Sequence, residues 1–146
     1  MLGNFAEQKE VLIYTLKLQR ERGDDDILVA HVLTALSNAN GVLGLLEEGI
    51  RQAMEALEIT RGRGSMADQV VRLNSLTVLL LRDKQLDAAK EVGSQAIDLH
   101  PEKGLEDLAC QSQQILGQVY HSKGERESHL PFRGGPRNRF PFRLAR

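Results

Sequence analysis

Three consecutive aspartates, Asp24 to Asp26, are the first candidates for chemistry in this chain, because carboxylates can bind a metal ion. Three adjacent side chains point in different directions, and no further oxygen ligands follow at the spacing of a calcium-binding loop. Carboxylates are also favoured at the start of a helix, where they accept hydrogen bonds from free backbone N–H groups. We therefore expect these residues to cap a helix, and we predict no metal site.

A cysteine and four histidines could supply a nucleophile, a base or zinc ligands. The histidines, His31, His100, His121 and His129, are scattered without metal-ligand spacing. Cys110 and His121 fall on one predicted helix, where eleven residues separate them by about 16 Å. They cannot form a catalytic pair there, and no motif groups a serine, a histidine and an acid. The sequence predicts no catalytic residues and no enzyme, and Cys110 is expected to be a small packing residue.

The stretch Arg61-Gly62-Arg63-Gly64-Ser65 is glycine-rich but lacks the lysine and the spacing of a phosphate-binding loop. We interpret it as a linker between helices. Aromatic residues make up only 4% of the chain and tryptophan is absent, so a large aromatic-lined cofactor pocket is not expected. The sequence therefore predicts no bound cofactor.

The final residues, 128–146, differ in composition from the rest of the chain. From Pro131 onward there are five arginines and no acid, so this segment carries +5 while the preceding 14 basic and 20 acidic residues sum to −6. Three phenylalanines, Phe132, Phe140 and Phe142, lie among the arginines, which could bind RNA. Because the segment has prolines, glycines and no helical period, we expect a disordered tail and rank nucleic acid below protein as a partner.

The chain has 146 residues, enough for one domain with a sizeable core. A single cysteine cannot form an internal disulfide, which favours a reducing compartment. The start lacks a basic region followed by an apolar run, and no apolar run is long enough to span a bilayer. We expect a cytoplasmic protein that does not enter membranes.

Hydrophobic periodicity predicts six helices that would position all of these residues. Their expected limits come from glycines, prolines and capping residues, including a capping box from Ser65 to Asp68. The predicted helices span residues 4–22, 27–40, 45–60, 67–82, 86–99 and 105–122. Gly41 and Gly44 are expected to bracket a turn, and Lys123-Gly124 is expected to form another.

The helical pattern repeats every 40 residues. Leu36-Ser37 recurs as Leu76-Thr77 and as Leu116-Gly117. The sequence ALEIT at 56–60 recurs as AIDLH at 96–100. A single helix pair cannot bury its apolar stripe alone, so neighbouring pairs must stack.

These residues resemble a tetratricopeptide repeat (TPR) array. Leu116, Gly117, Tyr120 and Gly124 are similar to the signature of the first helix and its turn. Ala89, Ala96 and Pro101 match the small residues and closing proline of the second helix. The long period is similar to the arrays of kinesin light chains and of signal-transduction ATPases that carry TPR sensor regions. The resemblance implies an all-α solenoid of helical hairpins.

The predicted repeat region covers residues 3–127, as a partial repeat at 3–22, repeats at 27–60 and 67–101, and a partial repeat at 105–127. Both ends fall in mid-repeat, so we expect a fragment of a longer array. One hypothesis is that a frameshift produced residues 128–146, since codons that encode this tail can be chosen to encode a TPR-like helix in another frame. Exposed repeat ends also predict low stability or self-association.

In TPR arrays the first helices of the pairs line a concave groove that binds peptides. Helix-face positions place ten residues there, and these are the predicted partner-binding residues: His31, Thr34, Asn38, Val71, Asn74, Val78, Gln111, Gln114, Gln118 and His121. The predicted groove is polar and nearly uncharged. The predicted function is a protein-interaction scaffold that captures a peptide or partner domain. The alternatives are a sensor segment of a larger regulatory NTPase and an RNA-binding protein that uses its basic tail.

Overall fold

The computed structural model describes residues 2–23, 25–99 and 106–127. Within these ranges it contains six α-helices and no strand, which confirms the all-α prediction. The helices are α1 (Leu2–Arg22), α2 (Asp26–Val42), α3 (Leu46–Arg63), α4 (Met66–Arg82), α5 (Leu86–Asp98) and α6 (Glu106–Glu127). None of these six helices is both long enough and apolar enough to cross a membrane. The predicted tail, 128–146, and His100 lie outside the described residues.

The start of α2 confirms the capping function predicted for Asp25 and Asp26, whereas Asp24 lies outside the described residues. Gly23 ends the preceding segment with a φ of 68°, a left-handed conformation that suits glycine. Asp25 is the N-cap, and its carboxylate accepts a hydrogen bond of 3.0 Å from the backbone N–H of Leu28. Asp26 lies in the first turn, where its negative charge interacts favourably with the helix dipole.

Two helical hairpins, α2–α3 and α4–α5, close with the same turn. The backbone N–H of Leu45 donates to the carbonyl of Asn40 at 2.8 Å, and Gln85 donates to Leu80 at 2.9 Å. Gly44 and Lys84 occupy the left-handed position of the two turns, with φ values of 83° and 63°. Each turn residue therefore has its counterpart forty positions later, in agreement with the sequence repeat.

Two predicted breaks in the helices are wrong. Helix α3 continues through Arg61 to Arg63, and Gly64 is its C-cap residue. Arg61 is partly buried and donates to Gln95 of α5 at 2.6 Å. Helix α6 continues through Lys123 and Gly124 to residue 127. Lys123 forms an ion pair with Asp87 of α5. A glycine inside a helix costs only about 1 kcal/mol, which neighbouring contacts can offset.

The core lies between the helices in two clusters. The larger one joins α3, α4 and α5 to Val119 of α6, and includes Ile50, Leu57, Leu73, Leu76, Leu80, Ala89, Val92 and Ala96. The smaller one joins α2 to α3 through Val29, Ala30, Leu33 and Ala56, with Leu16 of α1 and Ile59 against it.

Helices adjacent in sequence pack together, and α4 also contacts both α2 and α6. The protein is therefore an all-helical packed array that is compatible with a helical repeat.

Glycines allow the helices of each hairpin to approach closely. A Cβ atom on Gly49 would lie 3.0 Å from the carbonyl oxygen of Ser37, and one on Gly93 would lie 3.4 Å from Cγ2 of Thr77. Gly41, predicted to bracket a turn, lies inside α2, where a Cβ atom would be only 2.7 Å from Leu79 of α4.

We expect Leu76→Ala to destabilise the protein by about 2–5 kcal/mol, because this side chain is fully buried at the centre of the larger cluster. Val78→Ala, two residues later on the exposed side of the same helix, serves as the matched control and should change stability by less than about 1 kcal/mol. Urea unfolding followed by circular dichroism measures both values. Equal losses for the two variants would contradict the assigned core.

We expect Ser65→Ala to cost about 1 kcal/mol at neutral pH, because it removes the capping box of α4. Hydrogen bonds from Ser65 lower the pKa of the Asp68 carboxyl below its ordinary value of 3.8. Stability from such a carboxyl is present above pH 3.8 and is lost as the pH falls through the folded pKa. The difference between wild type and variant should therefore shrink in acid, as measured by urea unfolding across this range. A difference that is independent of pH would argue against the capping box.

Candidate partner-binding groove

One side of α4 forms the floor of a groove between α2 and α6. Val71, Asn74, Val78 and Arg82 recur at helical spacing along this side. The groove has a volume of about 350 Å³ and is open to solvent. Its lining residues are Asn38 and Val42 of α2, Val71, Asn74, Ser75, Val78, Leu79 and Arg82 of α4, and Gln111 and Ile115 of α6.

Half of the ten predicted partner-binding residues line this groove. They are Asn38, Val71, Asn74, Val78 and Gln111. The other five, His31, Thr34, Gln114, Gln118 and His121, are not among the lining residues. Of these, Thr34 is buried and its hydroxyl donates to the carbonyl of Ala30 at 3.0 Å, whereas the remaining four are exposed.

Asn74 is the most unusual polar residue of the groove. Its side chain is 93% buried, and its Oδ1 atom accepts a hydrogen bond of 2.9 Å from the hydroxyl of Ser112 on α6. Its Nδ2 atom, which can donate two hydrogen bonds, has no partner. A buried donor without a partner costs about 1–3 kcal/mol, and this amide nitrogen is enclosed by protein with essentially no surface open to the groove.

His31 does not line the groove, and its ring instead joins α2 to α4 through a hydrogen bond. The buried Arg72 of α4 donates from Nη2 to Nδ1 of His31 over 2.7 Å, which requires an unprotonated Nδ1. Burial lowers the pKa of Arg72, and the nearby Asp68 carboxylate acts in the opposite direction. Arg72 was not predicted, because the sequence does not distinguish a buried arginine at helical spacing from a solvent-exposed one.

The groove was predicted to be nearly uncharged, and among its lining residues one, Arg82, is charged. Arg82 lies at one end, close to Gly41 near the end of α2. Extending the predicted stripe of Val71, Asn74 and Val78 by one further turn would have identified it. The groove therefore has an uncharged polar centre and one cationic end.

Cys110 is exposed on α6, contrary to the expected packing role. In the part of the chain that the structure describes, no three His, Cys, Asp or Glu side chains are grouped so that they could hold a metal ion.

No known protein family, curated protein or solved structure matches this chain. The resemblance to TPR arrays therefore rests on the residues described above, and the structure supports the coarser description of a six-helix array.

We expect Ser112→Ala to destabilise the protein by about 1–3 kcal/mol, because it removes the hydrogen bond to Oδ1 of Asn74, a side chain whose Nδ2 atom already has no partner. Adding Asn74→Leu should recover most of that loss, since an apolar side chain has no hydrogen bonds to satisfy. A double-mutant cycle of unfolding free energies measures the coupling. Additive effects would show that the two side chains do not form this hydrogen bond.

Proposed function

We propose that this chain is a non-catalytic interaction module of TPR-like helical hairpins, stacked as a solenoid. It binds an extended peptide of a partner protein in the groove between α2, α4 and α6. The observation that carries the proposal is an open groove in which the exposed amide side chains of Asn38 and Gln111 lie beside the apolar Val71 and Val78. An extended peptide presents backbone N–H and C=O groups that such amides can bond.

The shape and chemistry of the groove support a peptide over a small metabolite. It is shallow and open, and Val71 and Val78 lie one helical turn to either side of Asn74. Apolar side chains of a bound peptide can pack against these two valines. Asn38 of α2 and Gln111 of α6 also line the groove and offer amide groups for the peptide backbone.

Arg82 favours a preferred direction for the bound peptide. Its guanidinium is exposed at one end of the groove, where it can pair with an acidic side chain or a terminal carboxylate. The expected ligand is therefore a largely neutral peptide with one acidic group at the end that lies over Arg82.

Selection of random displayed peptides against the full chain tests this proposal. Selected peptides should share an acidic group beside a short neutral stretch, and fluorescence anisotropy then gives their affinities. We expect Val71→Asp and Val78→Asp each to weaken binding by about tenfold or more, because each places a charge among the apolar contacts of the groove. Arg82→Ala should weaken only peptides that carry the acidic group.

Ser94→Ala is the matched control, because Ser94 lies on α5, away from the groove, and its hydroxyl donates to the carbonyl of Lys90 on its own helix. It should leave peptide binding unchanged. Peptides whose affinity is the same for wild type, Val71→Asp and Val78→Asp would refute the groove as the binding site.

A further inference from the structure

One side of α6 is exposed where the equivalent side of α4 is buried. The exposed residues, at successive helical turns, are Cys110, Gln113, Gly117 and Tyr120. Their counterparts forty residues earlier, Val70, Leu73, Thr77 and Leu80, have at most 1% of their surface exposed. In α4 this side is where Thr77 meets Gly93 of the next helix, α5. This side of α6, formed by Cys110, Gln113, Gly117 and Tyr120, is therefore a surface on which a further helix could pack, and we call it the seat. No described helix packs on it.

One side of α1 is exposed in a complementary way. Val11, Tyr14 and Leu18 lie at positions i, i+3 and i+7, and they are 65%, 64% and 39% exposed. Aligning the turn glycine Gly44 with Gly3 makes α1 the counterpart of α3, with an offset of 41 residues. Two equivalent side-chain contacts agree with this offset. Arg20 of α1 pairs with Glu55 of α3, and Arg61, which lies 41 residues after Arg20, bonds to Gln95 of α5.

The offset shows what the exposed side of α1 lacks. Val11 corresponds to Gln52, and Leu18 corresponds to Ile59. Gln52 accepts a hydrogen bond from Asn40 of α2 at 2.7 Å, and Ile59 packs against the smaller cluster, which α2 largely supplies. α1 therefore presents the surface of a second hairpin helix, and none of the described helices packs against it as a first helix.

We propose that the chain associates head to tail, with α1 of a second copy seated on the exposed side of α6. This arrangement would continue the register of the hairpins from one copy into the next. The inference uses the packing at the two ends of the array and does not depend on the peptide groove.

Residue pairs at equivalent positions support this occupant. In the first hairpin Asn40 pairs with Gln52, and both are polar. In the second hairpin the counterparts are Leu80 and Val92, which are both apolar and share the larger cluster. In the contact between two copies the counterparts are Tyr120 of one copy and Val11 of the second copy. The Tyr120 ring and the Val11 side chain are both apolar.

Charge and space agree with the same alignment. Lys9 of α1 forms an ion pair with Glu48 of α3, with 3.8 Å between Nζ and the carboxylate. At the equivalent positions of the contact between two copies, Lys90 of one copy lies opposite Glu7 of the second copy. These two residues again have opposite charge. The ammonium group of Lys90 already lies over the ring of Tyr120, 5.6 Å from its centroid. A Cβ atom on Gly117 would meet no atom within 4 Å, so the seat has room for an incoming side chain.

A head-to-tail contact joins two different surfaces, so each copy keeps one free surface of each kind and chains of copies can grow. Sedimentation velocity of the full chain, at concentrations up to about 500 µM, should show dimers and then larger species. A full chain that stays monomeric throughout this range overturns the proposal.

Two single variants separate a head-to-tail contact from a symmetric one. Val11→Glu and Tyr120→Glu should each reduce self-association by about tenfold or more, because each places a charge in the apolar contact. An equimolar mixture of the two variants should form a one-to-one dimer that does not grow, since one copy retains the α6 surface and the other retains the α1 surface. If Val11→Glu abolishes association while Tyr120→Glu has no effect, the contact is symmetric through α1 and the proposal is wrong.

Further variants of the same full chain complete the test. Ile13→Glu is the matched control, because Ile13 is a half-exposed apolar residue of α1 outside the Val11, Tyr14 and Leu18 stripe, and it should leave association unchanged. Glu7→Lys and Lys90→Glu should each weaken association, and the double variant should restore it. If truncation after Glu127 is required before association occurs, residues 128–146 of the same chain cover the seat on α6, and the proposal fails.

Discussion

The architecture depends on one constraint, which is that an amphipathic helical hairpin leaves part of its apolar surface uncovered. Among the described helices, α4 covers most of this surface, because it packs against its hairpin partner α5 and also against α2, α3 and α6. Its fully buried leucines, Leu73, Leu76 and Leu80, join residues from α3 and α5 into one cluster. The side of α4 that remains free of these contacts is the floor of the groove, so the stacking that buries the core also produces the candidate site.

Local sequence patterns predicted the helices well, since the signals that start and stop a helix are themselves local. The cap at Asp25, the capping box at Ser65 and the turns at Gly44 and Lys84 all lie within a few residues of the bonds they form. The continuation of α3 through Arg61 was not predictable in this way. Arg61 bonds to Gln95, which is 34 residues away in the sequence, and a local pattern does not contain that contact.

The groove was only partly predictable for the same reason. Helical spacing identified Val71, Asn74 and Val78 because they share one side of α4. It could not show that Thr34 is buried, or that His31 accepts a hydrogen bond from the buried Arg72. Those outcomes depend on how α2 packs against its neighbours, which no pattern within one helix specifies.

The two hairpins differ in what fills them, and this difference has a mechanical consequence. Asn40 of α2 donates a hydrogen bond to Gln52 of α3 at 2.7 Å, whereas Leu80 and Val92 occupy the equivalent positions of the α4–α5 hairpin. Apolar burial is favourable over the whole contact and tolerates small displacements, but a hydrogen bond is lost when its geometry changes. A directional bond therefore fixes the register of the first hairpin, and sliding of α2 along α3 would break it. At the equivalent place in the second hairpin, the same small displacement would only rearrange apolar contacts.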